Sequence, residues 1–337
     1  MPAPPRPVLA DGPLPVQADY ESLKAAAEWY AVLQDAEAGS RQHAAWQCWL
    51  DARPEHHRAW AHVMAVSRRF ALLRNDGERE AAEKAVQVAS RRPPSRRRAV
   101  GHILALGGVG ILAWLAWRRT PLPAVVTAWR SDYATGIGEQ RSIVLADDTR
   151  VWLNTRSAIN VDFNQDHRLL TLADGEILVE TGQDTWRRPF FVDTRFGRVQ
   201  PLGTRYTVRQ TDEDVLLAVY DGEVSIQNLA GRNALVRAGE QRRYTADDIS
   251  AAAPADPARE AWSRGVILAE NLSLADLIAE LGRYHVGHVG VDPRIAGLRV
   301  VGRYPANDLD FTLAMLARDL PIRIQRTLPW WVTLAPR

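Results

Sequence analysis

The chain has 337 residues, 46% hydrophobic and 24% charged. That suits two or three folded units and is too apolar for a disordered tail. Its 42 basic and 40 acidic residues nearly cancel, leaving +2, so a general nucleic-acid binder is not expected. The one cysteine, Cys48, excludes an internal disulfide framework and any Cys-rich zinc site. A mean hydropathy of −0.25 leaves room for only a small membrane-embedded part.

Residues 1–18 are Pro-rich and read as a disordered lead-in. Residues 19–92 read as a small all-α bundle. Leu23, Ala27, Tyr30 and Leu33 repeat at helical spacing. Ser40 is placed to cap a second helix, Pro54 to open a third, and Asn75 or Asp76 to cap a fourth. Four tryptophans fall here: Trp29, Trp46, Trp49 and Trp60. A core of about seventy residues buries only two or three indoles. Either all four are core, or one or two, with neighbours such as Leu50, form an exposed hot spot for a partner. His43, Cys48, His56, His57 and His62 do not have the spacing of a closed tetrahedral site, so no metal or other cofactor is expected.

Residues 99–117 (AVGHILALGGVGILAWLAW) carry no formal charge. As a helix they span about 28 Å, close to the hydrocarbon thickness of a bilayer. Arg96, Arg97 and Arg98 precede the stretch and Arg118 and Arg119 follow it, while Trp114 and Trp117 lie where an interfacial aromatic belt belongs. The competing reading is a buried core helix. With Arg91 and Arg92 added, the N-terminal flank is the more basic. The positive-inside rule then puts residues 1–98 in the cytoplasm and residues 120–337 across the membrane, in the periplasm of a bacterium with an outer membrane.

Over residues 125–250 short β-branched and aromatic runs alternate with turn signals, so an all-β unit is expected. Asp174-Gly175 and Asp221-Gly222 each sit between apolar runs and read as hairpin turns, as does Asp147-Asp148. Residues 251–261 read as an Ala/Pro linker. Residues 262–337 read as a small α+β module with two strand-helix-strand units. Its first helix is capped by Ser273 with Asp276 and presents Leu274, Leu277, Ile278 and Leu281. Its second is opened by Asp308 or Asp310.

No phosphate-binding, nucleophile-elbow or zinc-protease motif occurs, so the chain does not read as an enzyme. His285 and His288 lack a third ligand and read as part of a surface loop. A seventy-residue bundle, about the size of one minimal domain, cannot hold an ATP-binding kinase domain. What remains is a multi-domain device that carries a binding event across a membrane.

Several stretches resemble the FecR-like (ferric-citrate-regulator) family of transmembrane sigma-factor regulators. They are Thr135-Gly136-Ile137-Gly138-Glu139-Gln140-Arg141, Val144-Leu145-Ala146-Asp147-Asp148-Thr149, Val151-Trp152-Leu153-Asn154-Thr155-Arg156-Ser157, Arg168-Leu169-Leu170-Thr171-Leu172 with Gly175-Glu176, Arg188-Pro189-Phe190-Phe191-Val192, Leu202-Gly203-Thr204-Arg205-Tyr206-Thr207-Val208, and Tyr220-Asp221-Gly222-Glu223-Val224. Asp148 departs from the family's usual Gly in its turn. The helical segment resembles the family's cytosolic domain, and the C-terminal module, with Arg283-Tyr284, resembles its short secretin/TonB-type domain.

The resemblance implies an inner-membrane anti-sigma factor for an extracytoplasmic-function sigma factor. The distal modules would read the signalling domain of a TonB-dependent outer-membrane receptor for a siderophore or other iron carrier. Trp29, Trp46, Trp49, Leu50 and Trp60 are then the candidate sigma-binding residues. Gly107, Gly108 and Gly110 weaken the membrane helix and mark a candidate cut site for a site-2-type intramembrane protease. Some relatives cut themselves at a Gly-Thr bond, which corresponds to Gly203-Thr204; a tight turn between strands is the other reading. The alternative function is an envelope scaffold whose helical part is only an anchor.

Overall fold

A computed structural model describes residues 19–34, 39–86 and 131–337, with side chains left out over 72–86. The lead-in 1–18 and the stretch 99–117, with Gly107, Gly108 and Gly110, lie outside the described residues. No helix among the described residues is long and apolar enough to cross a membrane. The chain divides into two compact units. One holds the helices with residues 286–298 and 317–337, and the other holds the β-rich part to residue 285 with residues 299–316.

The helices are α1 (Tyr20–Gln34), α2 (Ser40–Ala52) and α3 (Pro54–Val86). Asp19 caps α1, its carboxylate accepting from the Ser22 N–H at 2.9 Å and the Ser22 hydroxyl at 2.6 Å. The cap of α2 falls one residue before the expected Ser40, at Gly39, whose N–H donates to Gln42 Oε1 at 3.0 Å. Pro54 opens α3 as expected. The separate fourth helix does not form, because α3 runs through Asn75-Asp76. Interior Asn, Asp or Gly costs up to about 1 kcal/mol apiece against Ala, whereas Pro, absent there, costs about 3.

The second unit is built on β1 (Tyr133–Ala134), β2 (Arg141–Val144), β3 (Arg150–Leu153), β4 (Ala158–Phe163) and β5 (Arg168–Glu180). It continues through β6 (Phe190–Thr194), β7 (Gly197–Pro201), β8 (Arg205–Gln210) and β9 (Val215–Asp221). Then come β10 (Glu223–Asn228), β11 (Asn233–Arg237), β12 (Glu240–Tyr244) and β13 (Ala253–Pro254). These strands form one hydrogen-bonded network with β5 at its centre. The first half of β5 lies between β4 and its parallel neighbour β6, and beyond β6 come β7, β10 and β11. Its second half lies between β3 and β8, followed by β9, β12 and β13.

Two of the expected hairpins are therefore something else. Asp174-Gly175 lies inside β5, where Gly175 takes φ +87°. The strand bends there and passes from one sheet to the other. The core-facing positions change from Leu170 and Leu172 to Ile177 and Val179, a change from even to odd numbers that an unbroken pleat forbids. Asp221-Gly222 likewise joins β9 and β10, which pair with different neighbours and not with each other. A left-handed glycine reverses or bends the chain equally well, and only the pairing of the flanking strands decides which. Asp147-Asp148 does close a hairpin, β2 on β3. Asp148 accepts the left-handed φ of +62°. Asp147, anchored by the Thr149 N–H at 3.0 Å and Arg168 Nη1 at 2.7 Å, holds that turn.

The expected linker 251–261 is structured. β13 pairs with β12, and a 3-10 turn over Pro257–Arg264 buries Ala258, Ala261 and Trp262. Asp256 caps this turn through the Ala258 N–H at 2.9 Å, and Pro257 supplies a φ suited to the first helical position. There follow β14 (Val266–Ser273), α4 (Leu274–Gly282), β15 (His288–Val291), β16 (Arg299–Pro305), α5 (Leu309–Asp319), β17 (Ile322–Leu328) and β18 (Trp331–Pro336). Ser273 caps α4 and Asp308 caps α5, and the four expected apolar residues of α4 are all buried.

In the first unit β18 lies between β15 and β17. His288 is on β15, not on a loop, and stacks on Trp331 at 3.8 Å between ring centroids. Trp330 and Trp331 share one apolar cluster with Ala26, Ala27, Ala59, Val63 and Val66. Small residues on α1 and α3 leave the space that the two indoles fill.

Gly175 supplies a direct check on the shared strand. A Cβ there would collide with Ser157 Oγ and Arg156 O, in a backbone conformation unfavourable to L side chains. Gly175→Ala is expected to cost about 2–3 kcal/mol in chemical denaturation; an unchanged midpoint would contradict the bend.

Candidate functional site

β7 ends at Pro201 and β8 starts at Arg205, so Leu202, Gly203 and Thr204 form the turn between them. Gly203 has φ +74°, with open space where a Cβ would stand. The turn needs glycine's backbone freedom, not its small size. Thr204 is buried. Its N–H donates to Thr181 Oγ1 at 2.8 Å, and its carbonyl accepts from the Thr181 N–H at 3.1 Å and the Thr181 hydroxyl at 3.2 Å. Thr204 Oγ1 is also buried, and it has no hydrogen-bond partner among the described residues. Leaving a hydroxyl unsatisfied in this way costs about 1–3 kcal/mol. The structure thus joins the two sequence-predicted residues and leaves the Thr204 hydroxyl unengaged beside a left-handed glycine.

Thr181 was not visible in the sequence as part of this site. It lies 23 residues from Thr204 and reaches it only through the β5–β8 register, in which Glu180 faces Arg205. Arg205 itself is held by Glu180 at 2.7 Å and by Glu260 of the 3-10 turn at 2.9 Å. Its guanidinium lies over the Trp152 ring.

The second polar centre is Glu176, just past the bend in β5. Its carboxylate is 6% exposed and accepts from Arg283 Nη2 at 2.7 Å and from Asn154 Nδ2 at 2.9 Å. Arg283 also pairs with Glu280 of α4, which Arg209 of β8 contacts at 3.1 Å. Asn154 Oδ1 takes the Thr155 N–H, and the Asn154 carbonyl takes the Thr135 hydroxyl at 2.6 Å. Thr155 Oγ1 donates to the Arg283 carbonyl at 3.2 Å. Burial alone would raise the Glu280 carboxyl, but Arg283 and Arg209 bring it below the usual range. Burial would lower Arg283, and Glu176 with Glu280 reverses that.

The helical candidates sit together only in part. Trp46 and Trp60 meet at 4.9 Å between centroids, Tyr30 lies 6.1 Å from Trp60, and Trp49 stacks on His56 at 4.3 Å. Trp29, Trp46, Trp49, Leu50 and Trp60 are all half-buried, and the buried centre of the helices is alanine and valine. The Trp46 indole N–H is buried and has no hydrogen-bond partner among the described residues. Among the described residues no group of His, Cys, Asp or Glu could hold a metal ion.

Residues 131–225 match the model of the family described as FecR protein. That segment is similar to FecR domains. Residues 24–66 match a domain of unknown function, DUF4880. No curated protein matches the chain. Two crystal structures of a candidate anti-sigma factor from Parabacteroides distasonis ATCC 8503 are similar to it. Both are 22% identical over 61% of this chain and 98% of the other, with TM-scores of 0.50 and 0.48. At that identity the first of these likenesses is one of fold alone. The matched segment contains the Asp147 turn, the Glu176 centre and the Gly203-Thr204 turn, while Arg283 reaches it from outside.

Arg283→Met removes the partner of a buried carboxylate and is expected to destabilise by about 3 kcal/mol, read by denaturation. A loss below about 1 kcal/mol would contradict the role of this pair. Glu280 titrates lower in the folded chain, so its contribution is complete above the ordinary carboxylate value of 4.5 and is lost as pH falls through its depressed folded value. Melting temperature should therefore drop below pH 4.5, and less steeply in Glu280→Gln.

Proposed function

We propose that this chain is a single-pass inner-membrane anti-sigma factor. Its helical segment would sequester an extracytoplasmic-function sigma factor in the cytoplasm. Residues 99–117 would cross the membrane. The FecR domain and the module after it would meet the signalling domain of a TonB-dependent outer-membrane receptor in the periplasm. The observation that carries this reading is the order of parts: a DUF4880 match at 24–66, a charge-free stretch of membrane length between arginine clusters, and a FecR domain at 131–225. The solved relative of similar fold is itself described as a candidate anti-sigma factor.

This topology bears on Trp330 and Trp331. In a chain that crosses a membrane between the two segments, these indoles and the helices lie on opposite sides. The face of Ala26, Ala27, Ala59, Val63 and Val66 is then left for another apolar partner, beside the cluster of Tyr30, Trp46 and Trp60. A sigma factor is that partner in this account. Trp46→Ala and Trp60→Ala are each expected to weaken sigma binding about thirtyfold, the effect of a hot-spot residue worth about 2 kcal/mol. Co-expression with the sigma factor and a promoter reporter measures the result. Undiminished repression by variants with intact helicity would favour the scaffold reading.

The release step is proteolytic in this account, with Gly107, Gly108 and Gly110 as the segment a site-2-type protease would unwind. A prior self-cut at Gly203-Thr204 is favoured by one specific observation, the buried and unpartnered Thr204 hydroxyl next to left-handed Gly203. Thr204→Ala should abolish the cut and leave a single full-length band on an immunoblot. Two fragments from Thr204→Ala would rule the self-cut out.

A further inference from the structure

We infer that Thr181 is the positioning residue for self-cleavage at Gly203-Thr204. The inference rests on the self-cleavage reading above and adds the group that prepares the bond. Thr181 is half-buried and directly follows the last residue of β5. Its hydroxyl accepts from the Thr204 N–H at 2.8 Å and donates to the Thr204 carbonyl at 3.2 Å, while its own N–H donates to that same carbonyl at 3.1 Å. One residue thus holds the peptide groups on both sides of the Thr204 Cα and fixes both backbone torsions. The Thr204 hydroxyl is the polar group of that residue left without a partner. On the other side, a Cβ at Gly222 would press against Gly203 O and Thr204 Cγ2. Glycine there leaves the Gly203 carbonyl room to become tetrahedral.

The reaction needs no outside reagent except water. Thr204 Oγ1 bonds to the Gly203 carbonyl carbon, the bond from that carbon to the Thr204 nitrogen breaks, and the hydroxyl proton ends on the nitrogen. The product is an ester. Water then attacks the ester carbon, freeing the Gly203 carboxylate and restoring the Thr204 hydroxyl. The Thr181 hydroxyl, 2.8 Å from the departing nitrogen, accepts from that nitrogen's N–H, so it orients the peptide that breaks and is unchanged overall. Misplacing an attacking group by about 1 Å costs on the order of a hundredfold in rate, so a residue that fixes the torsions of Thr204 acts on the rate directly.

The test uses the full-length chain tagged at both ends and followed by immunoblot after translation is stopped. The wild type should yield fragments 1–203 and 204–337, and a pulse of hydroxylamine, which opens esters, should release more. Thr181→Val, which keeps the shape and loses the hydroxyl, should slow cleavage on the order of a hundredfold and abolish the hydroxylamine-released fraction. Thr181→Ser should restore cleavage to within about threefold, a rescue that a merely structural role would not give. Thr181→Cys, with weaker hydrogen bonds, gives a second reading if the valine variant does not fold, and should be slowed at least about tenfold. Wild-type cleavage rates in folded Thr181→Val or in Thr181→Cys would overturn the inference and leave self-cleavage standing. A wild type that stays intact with and without hydroxylamine would overturn the self-cleavage reading itself, and this inference with it.

Discussion

Gly175 and Glu176 together set the architecture of the larger unit. Gly175 bends β5 so that one strand serves two sheets. Glu176 then carries a charge into the interior at the bend, where desolvation would be prohibitive without a cation and hydrogen bonds. Asn154, 22 positions before Glu176, and Arg283, 107 positions after it, meet that requirement. Arg283 brings α4 with it, and Glu280 and Arg209 complete the alternation of charge. The Glu176–Arg283 pair, the Arg209–Glu280 pair and the Thr155 hydroxyl on the Arg283 carbonyl together tie the end of α4 to the β domain.

The same geometry places Thr204. Once the second half of β5 pairs with β8, Glu180 faces Arg205 and Thr181 faces the residue before it. Arg205 is gripped in turn by Glu260 of the 3-10 turn that leads into β14. The Gly203-Thr204 peptide is therefore fixed by β5 on one side and tied, through Arg205, to the segment preceding the C-terminal module.

Much of this is legible in the amino-acid sequence. Period-two runs marked the strands, and the Ser273 cap with its four apolar partners marked α4 to within a residue. The errors have a common cause. Asp174-Gly175 and Asp221-Gly222 signal a change of direction, but whether a turn closes a hairpin or moves a strand between sheets depends on distant partners that local sequence does not encode. Asn75-Asp76 signals a helix start, but the cost of interior Asn and Asp is small enough for α3 to run through. Gly203 and Thr204 were readable as a motif. Thr181 and the pairing of Glu176 with Arg283 were not, because each joins residues separated by 23 and 107 positions through sheet register and helix docking.

The functional account stands on one geometric requirement, that the stretch 99–117 separates the helices from the FecR domain by a bilayer. Reporter fusions measure this most directly: alkaline phosphatase, active only outside the cytoplasm, joined in separate strains to each end of the chain. The account predicts activity at the C-terminal fusion and none at the N-terminal one. Equal activity at both ends would contradict it and would leave Trp330 and Trp331 as the permanent cover of the helical face.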